Sequence, residues 1–393
     1  MISVNEAKKK LDKSAIRGRK KTVSLLKSLN YILAEDLYSL IDVPSFNNSA
    51  MDGYAMSFDG TQNSWKVIST IQAGDIQTPK IAANEAARIF TGAKMPAGAD
   101  TVIPQELIEK DAENNSVHYL QNSIEKGANV RLKGSQCKKG TKILSKGSKV
   151  TPGAIALIAS VGIKEVNIFS PPEVAFIVTG NELKEVGEPL AEGEIYNSNG
   201  PLLEASLRQV GIENIVALRA EDDQQALQQS IDESLKKYDI IILSGGISVG
   251  DYDFVKVCLE DAGVEELFYK IKQRPGKPMY SGKKANKRVF ALPGNPASVL
   301  SCFYQYVHPC IRFWMGYENV WQPDLILPLT AEVKKKQGFT FFKKAFHDGK
   351  KVSILEGQQS FNLLPFAEAN CLVELEEELD YFPEKYKVSV YNL

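Results

Sequence analysis

Two hydrophobic periods alternate along this chain and divide it. Residues 1–40 read as mostly helical: Ala7, Leu11 and Ala15 recur at spacing four, and Val23, Leu26 and Leu33 continue an apolar face until Pro44 ends the pattern. Residues 44–137 lose that period. Short β-like runs at 65–68, 87–90, 101–103 and 117–120, separated by Gly, Asn and Pro turns, predict a compact, mainly β domain. Thr151 then offers an N-cap, Pro152 fits the first helical position and Gly162 sits where that helix should stop. The run 166–169 reads as a strand, and Pro171-Pro172 as a boundary.

From 173 to 315 strand and helix patterns alternate. Apolar runs at 174–178, 240–243 and 289–292 are of the fully buried strand type, and 214–218 is a further strand. Helical stretches at 201–210 and 222–237 lie between them, the second with Leu227, Ile231 and Leu235 on one face. Such alternation predicts a parallel sheet covered by helices, with ligands bound beyond the carboxyl ends of its strands. Residues 318–393 are β-like again, with runs at 325–329 and 387–391 and a turn at Asp348-Gly349, as in a small terminal barrel or sandwich.

Three glycine-rich turns follow apolar strands in the alternating region: 179–183 with Gly180 and Glu182, 244–253, and 292–298. A sharp strand-to-helix turn leaves backbone N–H groups aimed at one spot, where an anion binds. In 244–253, Gly245, Gly246 and Gly250 permit close approach, Ser244 and Ser248 add hydroxyls, and Asp251 and Asp253 oppose an anion unless a cation lies between them. Magnesium bridging phosphate and carboxylate resolves that conflict; the alternative is that either aspartate caps the following helix. The stretch Gln273 to Pro278 fixes a glycine, Gly276, between Pro275 and Pro278 and presents Arg274 and Lys277, as a phosphate fork or as a rigid turn with surface charges. In 292–298, Pro293 and Gly294 lead into Asn295 and Pro296, an N-cap and first-turn pair, so this turn is either an anion site or a well-built helix start. Two irregular stretches, 44–55 and 91–100, sit in the β domain; Asp52-Gly53 is a common turn signal.

Bulk properties narrow the partners. With 393 residues the chain holds two or three domains. Lys+Arg 47 against Asp+Glu 48 excludes a whole-protein nucleic-acid footprint. Five scattered cysteines form no C-x-x-C pair, Cys302 and Cys310 read as core thiols, and the three histidines are far apart. Any metal should therefore be a hard cation held by oxygen. No signal-like apolar start or membrane-length run appears, which predicts a cytoplasmic setting. The basic stretch from Lys8 to Lys27 is read as a solvated helix face, with a partner or membrane patch as the alternative.

The motif set as a whole resembles the MoeA family, molybdopterin molybdenumtransferases related to the E domain of gephyrin. The matching segments are 49–55 (Ser-Ala-Met-Asp-Gly-Tyr-Ala), 91–93 (Thr-Gly-Ala), Thr179-Gly180 with Glu182-Leu183, Asp222-Asp223, 244–253, 275–278 and 292–298, in the family's order over nearly the whole chain. The resemblance implies an α/β multidomain protein: an elongated N-terminal domain from 1–42 and 138–170, an inserted mainly-β domain at 43–137, a doubly wound parallel-sheet domain of MogA-like type at 171–316, and a C-terminal β-barrel at 317–393. It implies a homodimer, with the site between the doubly wound domain of one subunit and the inserted domain of the other, and transient contact with other molybdenum cofactor proteins. The implied reaction is Mg²⁺-dependent insertion of molybdate into adenylylated molybdopterin with release of AMP. Carried over, Glu182, Asp223 and Asp253 are acidic site groups, Asp52 and Thr91 an inserted-domain pair, Lys277 and Ser298 anion donors, and Ser360 a polar contribution from the terminal domain. Glu182, Asp251 and Asp253 are the implied metal ligands. The chain departs from the pattern at Asn181, Asn197 and Gln136, where acidic residues are usual, and at Arg274, where lysine is. Those amides motivate an alternative, a non-catalytic pterin- or molybdate-binding or scaffold paralogue. An adenylyltransferase acting one step earlier is a third reading, which the β domains on either side of the sheet disfavour.

Overall fold

The structure, a computed structural model, describes residues 1–121, 123–220, 223–247 and 254–393. Helix α1, Val4–Lys13, starts at a capping box in which the Ser3 hydroxyl accepts from the Glu6 amide and the Glu6 carboxylate accepts from the Ser3 amide. The helical expectation holds only for this element. Beyond it lie a short strand, Lys20–Ser24, one 3₁₀ turn, Leu25–Ser28, and a left-handed Asn30 (φ 68). Leu26 is 77% exposed, whereas Leu33 is buried with Leu37, Val150 and Ile158. Their helical spacing does not reflect a shared face, because packing placed each separately.

The chain divides into two compact units, Thr22–Ile168 and Met1–Lys21 with Phe169–Leu393. The first holds a six-stranded sheet of β1 (Gly53–Met56), β2 (Ser64–Ile71), β3 (Glu85–Ile89), β4 (Thr101–Pro104), β5 (Ile108–Asp111) and β6 (Ser116–Tyr119), in the order β4-β1-β3-β2-β6-β5. The irregular reading of 44–55 is corrected at its end, since β1 is central. Tyr54 and Met56 face one core with Trp65 and Tyr119, while Ala55 faces a second with Ile71 and Val102. A strand buried on both faces shows no polar alternation, which hides it from sequence. Gly53 is required there because a Cβ would run into the Ile103 carbonyl. Helix α2, Pro152–Ser160, begins as expected, with the Thr151 hydroxyl accepting from the Ala154 amide at 3.2 Å.

The second unit contains β7 (Val174–Thr179), α3 (Asn199–Gln209), β8 (Ile215–Ala220), α4 (Gln224–Lys237), β9 (Ile240–Ser244), α5 (Phe254–Asp261), β10 (Glu265–Tyr269), β11 (Tyr280–Lys284), β12 (Lys287–Leu292) and α6 (Pro296–Cys302). The sheet order is β8-β7-β9-β12-β11-β10. The first four strands are parallel, as the alternation predicts, but β11 pairs antiparallel with both β12 and β10, so the sheet is mixed. Leu227, Ile231 and Leu235 of α4 do form one face, packed with Val255 and Leu259 of α5 against Ile177, Ile241 and Leu243. The order reverses around β7 and β9, which places the crevice at their carboxyl ends.

A second six-stranded sheet in this unit comprises β13 (Leu325–Pro328), β14 (Thr340–His347), β15 (Val352–Ile354), β16 (Cys371–Leu375), β17 (Lys387–Asn392) and the short strand Gln273–Arg274. Gln273 and Arg274 pair in parallel with Thr340 and Phe341, so the basic loop is fastened to this sheet. One parallel bridge, Leu329 to Val352, joins the segment after β13 to β15. No helix among the described residues is long and apolar enough to cross a membrane.

Candidate functional site

The carboxyl ends of β7, β9 and β12 open onto one cleft of approximately 1130 Å³. Gly180 (φ +145), Gly245 (φ +98) and Gly246 (φ +61) make the first two turns. A Cβ on Gly245 would lie 2.7 Å from the Thr179 carbonyl oxygen and 2.8 Å from its hydroxyl oxygen, so the close approach of the two turns demands glycine there. Asn199, at the start of α3, ties the ends of β9 and β12 together. Its amide donates to the Ser244 hydroxyl at 3.0 Å and the Gly294 carbonyl at 2.8 Å. The Thr179 hydroxyl and the Asn199 amide oxygen are buried without a hydrogen-bond partner among the described residues.

The basic loop enters the same cleft from the side. Gln273 is fully buried; its amide nitrogen donates to the Pro275 and Gly276 carbonyls at 3.1 and 3.3 Å, and its amide oxygen accepts from Tyr306. Gly276 (φ +92) abuts the Cys302 thiol so closely that any Cβ would collide with it. Burial pushes that thiol up to about 12, so it is an inert packing group. The locked loop leaves Arg274 and Lys277 exposed in the cleft, with the Arg274 guanidinium 5.0 Å from the Phe339 ring centre.

The third turn reads differently from its sequence. Asn295 precedes α6 and Pro296 follows, but the Asn295 side chain makes no capping bond. It donates instead to the Ser360 hydroxyl at 3.1 Å, and the Ser360 carbonyl accepts from the Ala297 amide at 3.1 Å. A distant segment thus supplies the cap that local sequence assigned to Asn295. That segment is held by Lys344, a buried lysine that donates to the Gly357, Gln359 and Asn362 carbonyls at 2.8, 3.2 and 2.7 Å. Neighbouring Lys343 lines the cleft, 5.2 Å from the Phe341 ring centre, and burial lowers its pKa. The described lining carries Arg274, Lys277 and Lys343 against Glu182, a net positive surface suited to anions.

Of the expected residues, Gly180, Glu182, Ser244, Gly245, Gly246, Arg274, Pro275, Gly276, Lys277, Pro293, Gly294, Asn295, Pro296, Ser298 and Ser360 all line this cleft. Asp223 does not: it is the N-cap of α4, accepting from the Ala226 amide at 2.8 Å. Asp52 and Thr91 lie in the other unit and meet each other there. The Asp52 carboxylate accepts from the Thr91 amide and hydroxyl, both at 2.7 Å, and those bonds hold its pKa below the ordinary 3.8. Ser248, Gly250, Asp251 and Asp253 fall outside the described residues. Among the described residues no cluster of three His, Cys, Asp or Glu side chains could hold a metal. Asn199, Lys343 and Phe361 are cleft residues that sequence reasoning missed, since each is brought in by tertiary packing rather than by a local motif.

Asn197 now has a physical account. Its amide oxygen accepts from the Gly200 amide at 2.9 Å, capping α3, and its amide nitrogen faces the Glu185 carboxylate at 3.4 Å. An aspartate there would keep the cap but place two carboxylates together.

Comparisons with known proteins match nearly the whole chain. The family model described as MoeA N-terminal region (domain I and II) matches residues 2–162, and that of a probable molybdopterin binding domain matches 175–312. A molybdopterin molybdenumtransferase of Staphylococcus aureus is 34% identical over 365 residues, covering 90% of this chain and 86% of the relative. One from Staphylococcus epidermidis is 32% identical, covering 95% and 91%. The crystal structure of a molybdopterin biosynthesis MoeA protein from Pyrococcus horikosii superposes with a TM-score of 0.85 at 30% identity, over 100% of this chain and 99% of that one.

Proposed function

The chain belongs to the molybdopterin molybdenumtransferase (MoeA) family, and on that premise we propose that it inserts molybdate into adenylylated molybdopterin and releases AMP. The observation that carries this reading is the convergence of Gly245, Lys277 and Gly294 on one cleft. A single helix N-terminus stabilises an anion by at most about 2 kcal/mol, whereas micromolar binding requires about 8 kcal/mol. Several turns acting together with Arg274 and Lys277 supply what one turn lacks. In the reaction water cleaves the bond linking the two phosphates, so that AMP departs with one and the pterin keeps the other, and the two dithiolene sulfurs replace two molybdate oxygens, which take up protons and leave as water. The glycine turns and Ser298 hold the phosphates, and Lys277, Arg274 and Ser360 orient the oxyanions.

Mg²⁺ fits an all-oxygen donor set. Glu182 supplies the described cleft's carboxylate, and Asp251 and Asp253 complete the proposed ligands. Bound there, the ion would neutralise pyrophosphate charge. The finer architecture belongs to the same proposal: four domains bounded at 42, 137, 170 and 316, a terminal barrel supported by the Leu329–Val352 bridge, a homodimer and a cytoplasmic setting. The non-catalytic alternative draws on Asn181, Asn197 and Gln136, but the cap and Glu185 contact give Asn197 a structural reason to be an amide.

The test is AMP release from adenylylated molybdopterin on adding molybdate and Mg²⁺, with tungstate in a parallel arm. We expect AMP from the wild type and none from Glu182→Ala at unchanged melting temperature. Binding without AMP release, where an active family member turns over, would establish the non-catalytic alternative.

A further inference from the structure

Phe361 is 71% exposed yet lines the cleft. Its loop is not free to fold the ring away. On one side Ser360 is fastened to α6 through its carbonyl and hydroxyl, and the flanking Gly357, Gln359 and Asn362 carbonyls all bind the buried Lys344 ammonium. Phe341, a half-buried ring of the same cleft, already has Lys343 and Lys335 5.2 and 5.5 Å from its ring centre. Phe361 has no ring or cation partner among the described residues. A fixed backbone thus presents an uncovered aromatic face to a cleft that also carries glycine turns and two exposed cations. Ordering that face in advance removes an entropic cost of binding.

We propose that Phe361 stacks a planar heterocycle of the bound nucleotide, giving the cleft an aromatic subsite beside its anion-binding turns. The inference rests on the proposed function and deepens it. A ligand that satisfies both features has a negatively charged linker and a flat ring. The cleft volume exceeds what a small oxyanion fills and leaves room for a ring-bearing ligand. The adenine and the pterin of the proposed substrate share this chemistry.

Titration calorimetry on the full chain separates the possibilities, with AMP, adenylylated molybdopterin and ringless pyrophosphate as probes. Phe361→Ala should weaken ring-bearing ligands by roughly 5- to 140-fold, the range expected of one stacked base. Pyrophosphate affinity and melting temperature should be unchanged, and Phe361→Trp should restore ring binding. Loss with AMP assigns the adenine; loss confined to adenylylated molybdopterin assigns the pterin. Unaltered ring affinity in Phe361→Ala overturns the inference, as does a parallel loss of pyrophosphate, which marks a collapsed loop. A changed oligomeric state at constant affinity also overturns it, by making the ring a partner contact. A wild type that binds AMP through Phe361 but releases none from the adenylylated substrate would remove the proposed reaction and leave this subsite standing.

Discussion

Asn199 holds two of the three glycine turns at a set distance with one side-chain amide, which gives a sharp expectation at the scale of the residue. Truncation to alanine removes both bonds and leaves the Gly294 carbonyl without that donor. Asn199→Ala should therefore lower stability by about 1–3 kcal/mol, the sum of two partly exposed hydrogen bonds at about 0.5–1.5 kcal/mol each. It should also raise KM for the nucleotide substrate more than it lowers kcat, because the turns lose their mutual position while the cations remain. Chemical denaturation and steady-state kinetics check the two effects, and an unchanged KM would restrict Asn199 to a folding role. Asn197 shows the same logic in reverse: a change that removes a charge is tolerated where the retained acceptor caps a helix.

At the scale of the element, α6 continues into a π-helical segment, Phe303–Val307, and then α7, His308–Trp314. Tyr304, Val307 and Ile311, spaced by three and four, are all buried, but a spacing of this kind does not reveal the single extra residue of a π turn. His308 sits at the junction with its ring near Phe303 and Tyr304. Burial, aided by Arg312 and opposed by Asp324, lowers its pKa from 6.5 to about 4. Between those values only the unfolded chain takes up the proton. Stability is thus full above pH 6.5 and falls as pH drops toward 4, by up to about 3 kcal/mol. Urea midpoints at pH 7 and pH 5 should differ in the wild type and converge in His308→Gln. Equal slopes in both proteins would show that the imidazole is already charged in the fold.

For the whole molecule, the proposed homodimer has support within the unit Thr22–Ile168. Leu40, Ile41, Phe46 and Leu132 are 54%, 43%, 41% and 60% exposed. They lie on segments that hydrogen-bond to each other through Val43 with Cys137 and Pro44 with Gly134. Exposed apolar side chains on adjoining segments form a surface that a second copy of the chain could cover. Sedimentation equilibrium should give twice the 43.4 kDa chain mass, and a double change of Leu40 and Phe46 to serine should shift it toward monomer. A wild type that sediments as a monomer at micromolar concentration would remove the dimer.

Sequence alone determined the alternation of strand and helix from 173 to 315, the start of α2, and the glycine turns at strand ends. Each of these rests on interactions between near neighbours: apolar period, backbone freedom and first-turn capping. What it misjudged depends on contacts between distant segments. The 20–40 stretch is not helical because some of its leucines, Leu33 and Leu37, are held in one core while Leu26 and Leu40 are left exposed. Central β1 is invisible because both its faces are buried. Asn295 occupies the N-cap position without capping through its side chain, because its amide donates to the Ser360 hydroxyl, sixty-five positions away, while the Ser360 carbonyl accepts from the Ala297 amide. Only the tertiary structure gathered Asn199, Lys343 and Phe361 at the cleft, since nothing in a one-dimensional pattern encodes which carbonyls a buried lysine will hold or which ring is left uncovered.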